Sequence, residues 1–334
     1  MKIIIPMAGR GSRLRPHTLT VPKPLLPVAG KPIVQRIVED LAANCPEGIE
    51  EVAFIIGDFG EAVEQQLRDI AGLIGAKGSI YYQRTPQGPA HAIYCAAQSL
   101  SGPCVVAFAD TLFKANFSFD TAGEGIIWVQ KVENPASFGV VKMDDNHFIT
   151  DFVEKPKEFV SDKAIVGIYY FKEGAGLRNE IAHMLEHNLR DKGEFQITTA
   201  LESMKNKGLR FEAATIEEWL DCGNKDNVLN TNSRLLNLKP QEATVHESAV
   251  INNSVIIPPC YIGAATQINN SVIGPFVSIG DNSTIDRSVI LNSMIQNETI
   301  LKHVNLDRAM IGNQVEYSGS KATISLGDYS KHTS

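Results

Sequence analysis

The last third of the chain restricts its own fold more than any other stretch. Apolar residues return at Val250, Ile256, Ile262, Ile268, Ile273, Ile279, Ile285, Ile290, Ile295, Ile300, Leu306 and Ile311. The step is six residues, with slips to five, and Asn, Ser, Gly, Asp and Pro fill the intervals. Neither a helical period nor a strict alternation produces that spacing. A hexapeptide rhythm does produce it in a parallel β-helix, where a triangular coil takes about eighteen residues and roughly four coils fit here. One isoleucine ladder points inward at each face, and only stacking buries it. The flat end and sides of such an array commonly serve oligomer contacts. From Ser318 to Ser334 the chain is polar and without a clear period.

The other constraining stretch is the N-terminus, Lys2 to Pro32. It opens with an apolar run, Ile3 to Met7, that reads as a buried strand. A glycine loop follows, with Ala8, Gly9, Arg10, Gly11, Ser12 and Arg13. Glycine lets backbone N–H groups approach a ligand without a Cβ in the way. Successive N–H groups in such a loop form a concave anion site. Lys2, Arg10, Arg13, Arg15, Lys23, Lys31 and Arg36 all precede the first acid, Glu39. A purely basic segment around a glycine turn implies a polyphosphate ligand. The loop is not a P-loop, since no Gly-Lys-Ser/Thr follows. It is a poor dinucleotide fingerprint as well, because Leu14 stands where a third glycine belongs. Pro22-Lys23-Pro24 and Lys31-Pro32 hold two lysines in proline-stiffened backbone. Stiff backbone limits the entropy lost when a lysine engages phosphate.

Composition bounds the remaining possibilities. A chain of 334 residues holds one large domain and a smaller one. With 31 basic and 38 acidic residues its net charge is −7. Nucleic-acid and membrane surfaces favour basic partners, so neither is expected. No apolar stretch is long enough to span a bilayer, and no signal peptide is expected at the N-terminus, whose apolar run is too short and contains Pro6. The five cysteines are odd in number, scattered, and lack CxxC spacing. Reduced thiols in a cytoplasmic protein are the expectation.

Between the two ends, strand and helix patterns alternate. Helices are expected over Ile33 to Ala43, Gly60 to Ile70 and Pro89 to Leu100. Strands are expected over Glu51 to Ile56, Ile80 to Gln83 and Cys104 to Ala109. That alternation implies an α/β fold with a mostly parallel, Rossmann-like sheet covered on both faces. Ligands in such sheets sit at the carboxyl ends of strands. The Gly9–Arg13 loop, Gln83 and Asp110 all fall there. Gln83 carries a donor and an acceptor, as reading a base edge requires, and Gly88 would let backbone amides meet the base. From Gly125 to Phe171 strands dominate: Ile126 to Val132, Gly139 to Met143, Phe148 to Glu154 and Ala164 to Phe171. A helix is expected over Leu177 to Leu189, with Leu177, Ile181, Met184, Leu185 and Leu189 buried. Its His183-x-x-Glu186-His187 matches a zinc-peptidase pattern, but no third ligand has suitable context, and a solvated helix face is the favoured reading.

The segments Ala8-Gly-Arg-Gly-Ser-Arg-Leu-Arg-Pro16 and Pro22-Lys-Pro-Leu-Leu-Pro-Val-Ala-Gly-Lys-Pro32 resemble the signature of sugar-1-phosphate nucleotidylyltransferases of the glucose-1-phosphate thymidylyltransferase type. Further matches extend over nearly the whole chain. The resemblance implies a nucleotidyltransferase domain over about residues 1–238 and a left-handed β-helix over about 243–317, with 318–334 a polar tail. It implies that Gln83 and Gly88 recognise the nucleobase and that Asp110 and Asp221 bind magnesium. Phe138-Gly139 looks like the family's sugar-pocket glycine motif and Glu154-Lys155-Pro156 its Glu-Lys-Pro motif. Val166-Gly167 matches the strand closing the sugar site, and Glu194 matches a sugar-contacting glutamate. The chain departs from the family pattern at Ala109 (usually Gly), Thr199 (often Asp) and Asn224-Lys225 (usually Thr-Pro).

Two carboxylates about 4 Å apart repel by roughly 4 kcal/mol at an effective dielectric near 20. If Asp110 and Asp221 converge, a cation or a proton must therefore sit between them. Magnesium suits all-oxygen ligation completed by phosphate. The expected reaction is NTP plus sugar 1-phosphate giving NDP-sugar and pyrophosphate, with dTTP or UTP and glucose 1-phosphate the favoured pair. Arg13 and Lys23 would be catalytic, and Lys155 would hold the sugar phosphate. Two rival readings are a bifunctional enzyme with an acetyltransferase site at His246 or His303, and a regulatory homologue that binds sugar nucleotides without turnover. A homo-oligomer is expected.

Overall fold

The computed structural model describes residues 1–9, 11–114 and 123–320. Arg10 of the glycine loop and most of the tail lie outside the described residues. The chain divides into two compact units. The first comprises residues 1–26 and 31–227, and the second 27–30 and 228 onward.

In the first unit, Lys2–Pro6 is a central strand. Ile3, Ile4 and Ile5 are all fully buried, as in a strand covered on both faces. It runs parallel to Glu51–Ile56 on one side and to Cys104–Ala107 on the other. Lys77–Tyr82 extends the parallel half beyond Glu51–Ile56. The sheet has nine strands and becomes mixed past Cys104–Ala107, because the long strand Lys163–Phe171 enters antiparallel. That strand also pairs antiparallel with Gly125–Lys131 and touches Gly139–Met143, which forms a hairpin with Ile149–Glu154. Phe211–Thr215 closes the far side, parallel to Gly125–Lys131. A separate two-stranded ribbon pairs Thr111–Lys114 with Glu218–Asp221.

Among the described residues there are six helices. Helix α1, Ile33–Ala43, buries Ile33, Val34, Ile37, Val38 and Leu41, one stripe at helical spacing. Helix α2 is Glu61–Leu73, preceded by Gly60. Helix α3, Pro89–Cys95, is shorter than its apolar pattern suggests. From Ala96 to Leu100 the backbone donors reach back three residues instead of four, for example Ala97 N–H to the Tyr94 carbonyl and Leu100 N–H to that of Ala97. The chain thus continues in tight turns and not as α-helix. Helix α4 is Gly174–Glu186. Leu189 lies beyond its end and is 43% exposed, so it does not belong to the buried stripe. Helix α5, Ile197–Asn206, and helix α6, Lys225–Leu238, complete the set. One core cluster joins Ile4, Ile55, Val106 and Ile127 of the sheet to Ile93 of α3, Leu177 and Ile181 of α4 and Leu201 of α5.

The second unit is a stack of parallel coils. The register steps Val250↔Gln267, Gln267↔Thr284, Thr284↔Ile300 and Ile300↔Glu316 give coils of 17, 17, 16 and 16 residues. Each is shorter than the eighteen of an unbroken hexapeptide repeat, because the five-residue slips remove one or two residues per turn. Ile262, Ile279 and Ile295 form one inward ladder, and Ile268, Ile285 and Leu301 another. Corners are turned by residues at positive φ, stacked coil over coil: Asn253, Asn270, Arg287 and His303 at one corner, Ala265, Asn282, Glu298 and Gln314 at the next. Buried serines rung these corners, with Ser271 N–H donating to the Ser254 hydroxyl oxygen and Ser288 N–H to that of Ser271, both at 3.0 Å. Within the same unit, Asn232 of α6 accepts from Ala29 N–H at 2.9 Å and from the Ser278 hydroxyl at 2.7 Å. Among the described residues, no helix is long and apolar enough to cross a membrane.

Candidate active site

Four strands of the parallel half release their chains at the same edge of the sheet. Lys2–Pro6 leads to the glycine loop, Lys77–Tyr82 to Gln83, and Cys104–Ala107 to Asp110. Met7 N–H donates to the Ile55 carbonyl and Gln83 N–H to that of Ile56, so the first residues of these loops are held by the neighbouring strand. A cavity of about 380 Å³ lies over this edge. Ala8, Gly9, Gly11, Ser12 and Arg13 form one wall and Gln83 and Gly88 another, while Lys23, Asp110 and Glu194 also line it.

Local geometry explains two of the glycines. Gly11 has φ +60°, and a Cβ there would lie 2.8 Å from Lys23 Cβ and 3.2 Å from Thr18 Cγ2. The loop therefore packs directly on the lysine segment, and the Thr18 hydroxyl donates to the Gly11 carbonyl at 2.7 Å. Gly88 has φ +112°, and a Cβ would meet the Phe195 backbone at 2.7 Å. The two segments are bonded there, Phe195 N–H to the Gln87 carbonyl and Ala90 N–H to the Phe195 carbonyl, each at 2.9 Å.

Lys23 is buried, at 8% exposure, in a short turn between Pro22 and Pro24. Its Nζ donates to Asp110 Oδ2 at 2.9 Å. A buried ammonium needs an anionic partner or a phosphate to offset its desolvation. The pair thus presents a cation on the cavity wall together with a carboxylate whose side chain is 41% exposed.

The residues expected at the sugar form a second group. Gly139 and Glu154 are register partners in the hairpin, and a Cβ on Gly139 would stand 3.1 Å from Glu154 Oε2. Glu154 Oε2 accepts from the Thr198 hydroxyl at 3.1 Å, and Lys155 Nζ lies 3.4 Å from Oε1. Lys155 is itself at φ +40°. Val166 is buried, and its carbonyl accepts from Thr111 Oγ1 at 2.9 Å. None of Gly139, Glu154, Lys155 or Val166 lines the 380 Å³ cavity. Burial pushes the Tyr169 phenol up, and the charges of Glu154 and Asp110 push it further. The Thr111–Val166 bond sets the second group beside the residue that follows Asp110.

Asp221 adjoins Asp110 through the backbone: Cys222 N–H donates to the Asp110 carbonyl at 3.0 Å. Its carboxylate is directed otherwise. It accepts from Gly223 N–H at 2.9 Å and from the Asn227 amide, and it lines a separate cavity with Phe138 and Trp219. Among the described residues no cluster of three or more His, Cys, Asp or Glu side chains could cage a metal. The half-exposed Asp110 carboxylate fits a magnesium whose remaining ligands come from phosphate and water.

The sequence pattern of the chain and its fold both match known proteins. The nucleotidyl transferase family pattern covers residues 2–237, and a GlmU-like C-terminal hexapeptide pattern covers 239–324. The chain belongs to the nucleotidyl transferase family. This transferase is 32% identical to the low-salt glycan biosynthesis nucleotidyltransferase Agl11 of Haloferax volcanii, over 76% of its own length and 72% of the relative's. It is also 32% identical to a glucose-1-phosphate thymidylyltransferase of Streptomyces antibioticus, over 80% and 79% of the two chains. In fold it resembles a UDP-glucose pyrophosphorylase complexed with UDP-glucose, with a TM-score of 0.57 and 24% identity, covering 71% of this transferase and 98% of that chain.

Several polar residues of the site escape sequence reasoning. His91 Nδ1 lies 3.0 Å from Gln83 Nε2. Arg190 donates to Gln87 Oε1 at 2.8 Å and lies 4.0 Å over the Phe195 ring. Lys192 Nζ donates to the carbonyls of Glu154 and Lys155 at 2.7 and 2.6 Å. Only His91 had a signal, since it is one helical turn past Gly88. The exposed His183 of α4 and His187 just past its end lie with ring centres 4.2 Å apart.

Proposed function

We propose that this transferase joins a nucleoside triphosphate to a sugar 1-phosphate, giving an NDP-sugar and pyrophosphate, with dTTP or UTP and glucose 1-phosphate as substrates. The observation that carries the reading is the Lys23–Asp110 pair, 2.9 Å across, on the wall of a cavity formed by a glycine loop and by Gln83 and Gly88. The names of the relatives support the sugar and the base.

In the proposed reaction an oxygen of the sugar phosphate attacks the α-phosphorus in line. A new P–O bond forms there, and the α–β P–O bond breaks to release pyrophosphate. Catalysis of this kind is mainly positioning and charge neutralisation. Gly9, Gly11 and Ser12 offer backbone donors to the triphosphate, and Arg13 stabilises the leaving pyrophosphate. Lys23 neutralises charge developing at the α-phosphate. Magnesium, when bound at Asp110 and Asp221, supplies a divalent counter-charge. Lys155 holds the sugar phosphate, and Glu154 and Glu194 accept from sugar hydroxyls near Gly139 and Val166.

The test is pyrophosphate release across a panel of nucleotides and sugar phosphates. Lys23→Ala should keep its melting behaviour and lose at least about a hundredfold in rate, the effect of removing one charge-stabilising donor. Near-normal turnover in that variant would sink the assignment. The five cysteines are unpaired thiols, which supports a cytoplasmic location. The half-exposed valines Val250, Val255 and Val289 on the coils support a homo-oligomer.

A further inference from the structure

Gln83 and His91 meet at the base-facing wall, in an arrangement whose donors and acceptors can be assigned. Gln83 Nε2 lies 3.2 Å from the Gly88 carbonyl oxygen and 3.0 Å from His91 Nδ1. A carbonyl only accepts, so the Gln83 amide must turn its NH2 group toward Gly88. The second amide hydrogen then points at His91, whose Nδ1 must be the unprotonated ring nitrogen. Both amide hydrogens are thereby committed. Oε1 is the polar atom that Gln83 has left, and no described residue donates to it. Gln83 is 8% exposed and lines the cavity, so this oxygen is what the side chain offers a ligand. The neighbouring Gly88 N–H has no acceptor among the described backbone bonds and lines the same cavity.

With the Gln83 acceptor set against the ring nitrogen of a base and the Gly88 donor against its exocyclic group, the pair is complementary to an imide edge, where a ring N–H adjoins a carbonyl. Uracil, thymine and guanine carry that edge. Cytosine and adenine carry the reverse, a bare ring nitrogen beside an amino group. We propose that His91 is a positioning residue for nucleobase choice: by taking one amide hydrogen of Gln83 at Nδ1, it locks the glutamine with Oε1 toward the ligand and so selects imide-edged bases. Without that acceptor only the longer bond to the Gly88 carbonyl, at 3.2 Å, holds the NH2 group, and Gln83 can turn it toward the ligand and meet cytosine. Burial and the charge of Arg190 hold the His91 imidazole below its usual range, which keeps Nδ1 free to accept. The proposal rests on the nucleotide-site reading above.

The experiment is calorimetric binding of dTTP and of CTP, each with magnesium and without sugar phosphate, so that no turnover occurs. Wild-type protein should prefer dTTP by roughly tenfold or more, the effect of exchanging one matched hydrogen bond for a mismatched one. His91→Ala should bring the two affinities to within about threefold. His91→Asn, whose Oδ1 can replace Nδ1 as acceptor, should restore the preference. Should His91→Ala fail to fold, His91→Leu fills the same space without an acceptor and should behave as the alanine was expected to. A preference retained in His91→Ala or His91→Leu overturns the proposal, as does failure of His91→Asn to restore it. Wild-type protein that binds neither nucleotide overturns the function proposed above, and this inference with it. Wild-type preference that survives loss of the imidazole overturns this inference alone.

Discussion

At the residue scale, the site rests on contacts that a single substitution undoes. Gly11 is required twice, by its positive φ and by the 2.8 Å separation its Cβ would have from Lys23 Cβ. The same packing that forbids a side chain there seats Lys23, and Lys23 in turn is held by Asp110. This part of the site was legible in the sequence. Gly9, Gly11, Arg13 and Lys23 lie within one short stretch, and the chemistry of a phosphate loop is local. His91, Arg190 and Lys192 were not legible, since their partners are carbonyls and amides whose position depends on how the chain folds. Titration gives a test at this scale. Burial and the Lys225 charge hold His17 below its usual range, and burial and Arg190 do the same for His91. A folded-state pKa below the unfolded value of about 6.5 means the unfolded chain binds the proton more readily. Stability from these two histidines is therefore fully present above about pH 6.5 and is lost as pH falls toward their lowered values. The double variant His17→Gln/His91→Asn should lose less melting temperature than wild type between pH 7 and pH 5. Parallel curves for the two proteins would remove both histidines from the account.

At the element scale, strong periodicity decided what could be read. Helix α1 and the strand Glu51–Ile56 match the sequence expectation at both ends, because each has an uninterrupted apolar pattern between clear breakers. Helix α6 has the weaker pattern of KDNVLNTNSRLLNL, where Thr231 and Asn232 are buried among the leucines, and no sequence period announces it. The ribbon of Thr111–Lys114 with Glu218–Asp221 was unreadable for another reason. Its partners lie more than a hundred residues apart in the chain, and only their pairing reveals that Asp110 and Asp221 are backbone neighbours. The loop after α4 acts on the hairpin proposed to face the sugar in a way that can be measured. Lys192 donates to the carbonyls of Glu154 and Lys155 while Lys155 stands at φ +40°, a backbone region that costs a non-glycine residue about 1–3 kcal/mol. Two charge-assisted hydrogen bonds offset that cost. Lys192→Met releases the hairpin end and should raise KM for glucose 1-phosphate by roughly tenfold, with KM for dTTP within about twofold of wild type. An equal rise in both constants would mean that Lys192 supports the whole site and not the sugar side.

At the scale of the whole molecule, the two units obey different rules of stability. The first has a core cluster in which the sheet and helices α3, α4 and α5 share contacts, so its folding is expected to be cooperative. The second contains a one-dimensional array in which each coil packs its inward ladder on the coils above and below, with Asn232 of α6 bonded to one side at Ser278. Its hexapeptide rhythm was readable because an inward ladder must repeat with the coil, whereas the exact coil lengths depended on corners that can absorb one residue at positive φ. The inward ladder of an interior coil is supported by its two neighbours. Ile285 is fully buried and stacks between Ile268 and Leu301. Ile285→Ala leaves a void that neither neighbour can fill, at a cost of about 2–5 kcal/mol. That loss is carried by the coils alone, since every residue lining the 380 Å³ cavity belongs to the first unit. Calorimetry of Ile285→Ala should show a lowered transition for the coils, while titration of the folded protein with dTTP and magnesium returns the wild-type affinity. If dTTP binding weakens in step with the coils, the nucleotide site depends on the array, and the lining residues of the first unit are not sufficient for it.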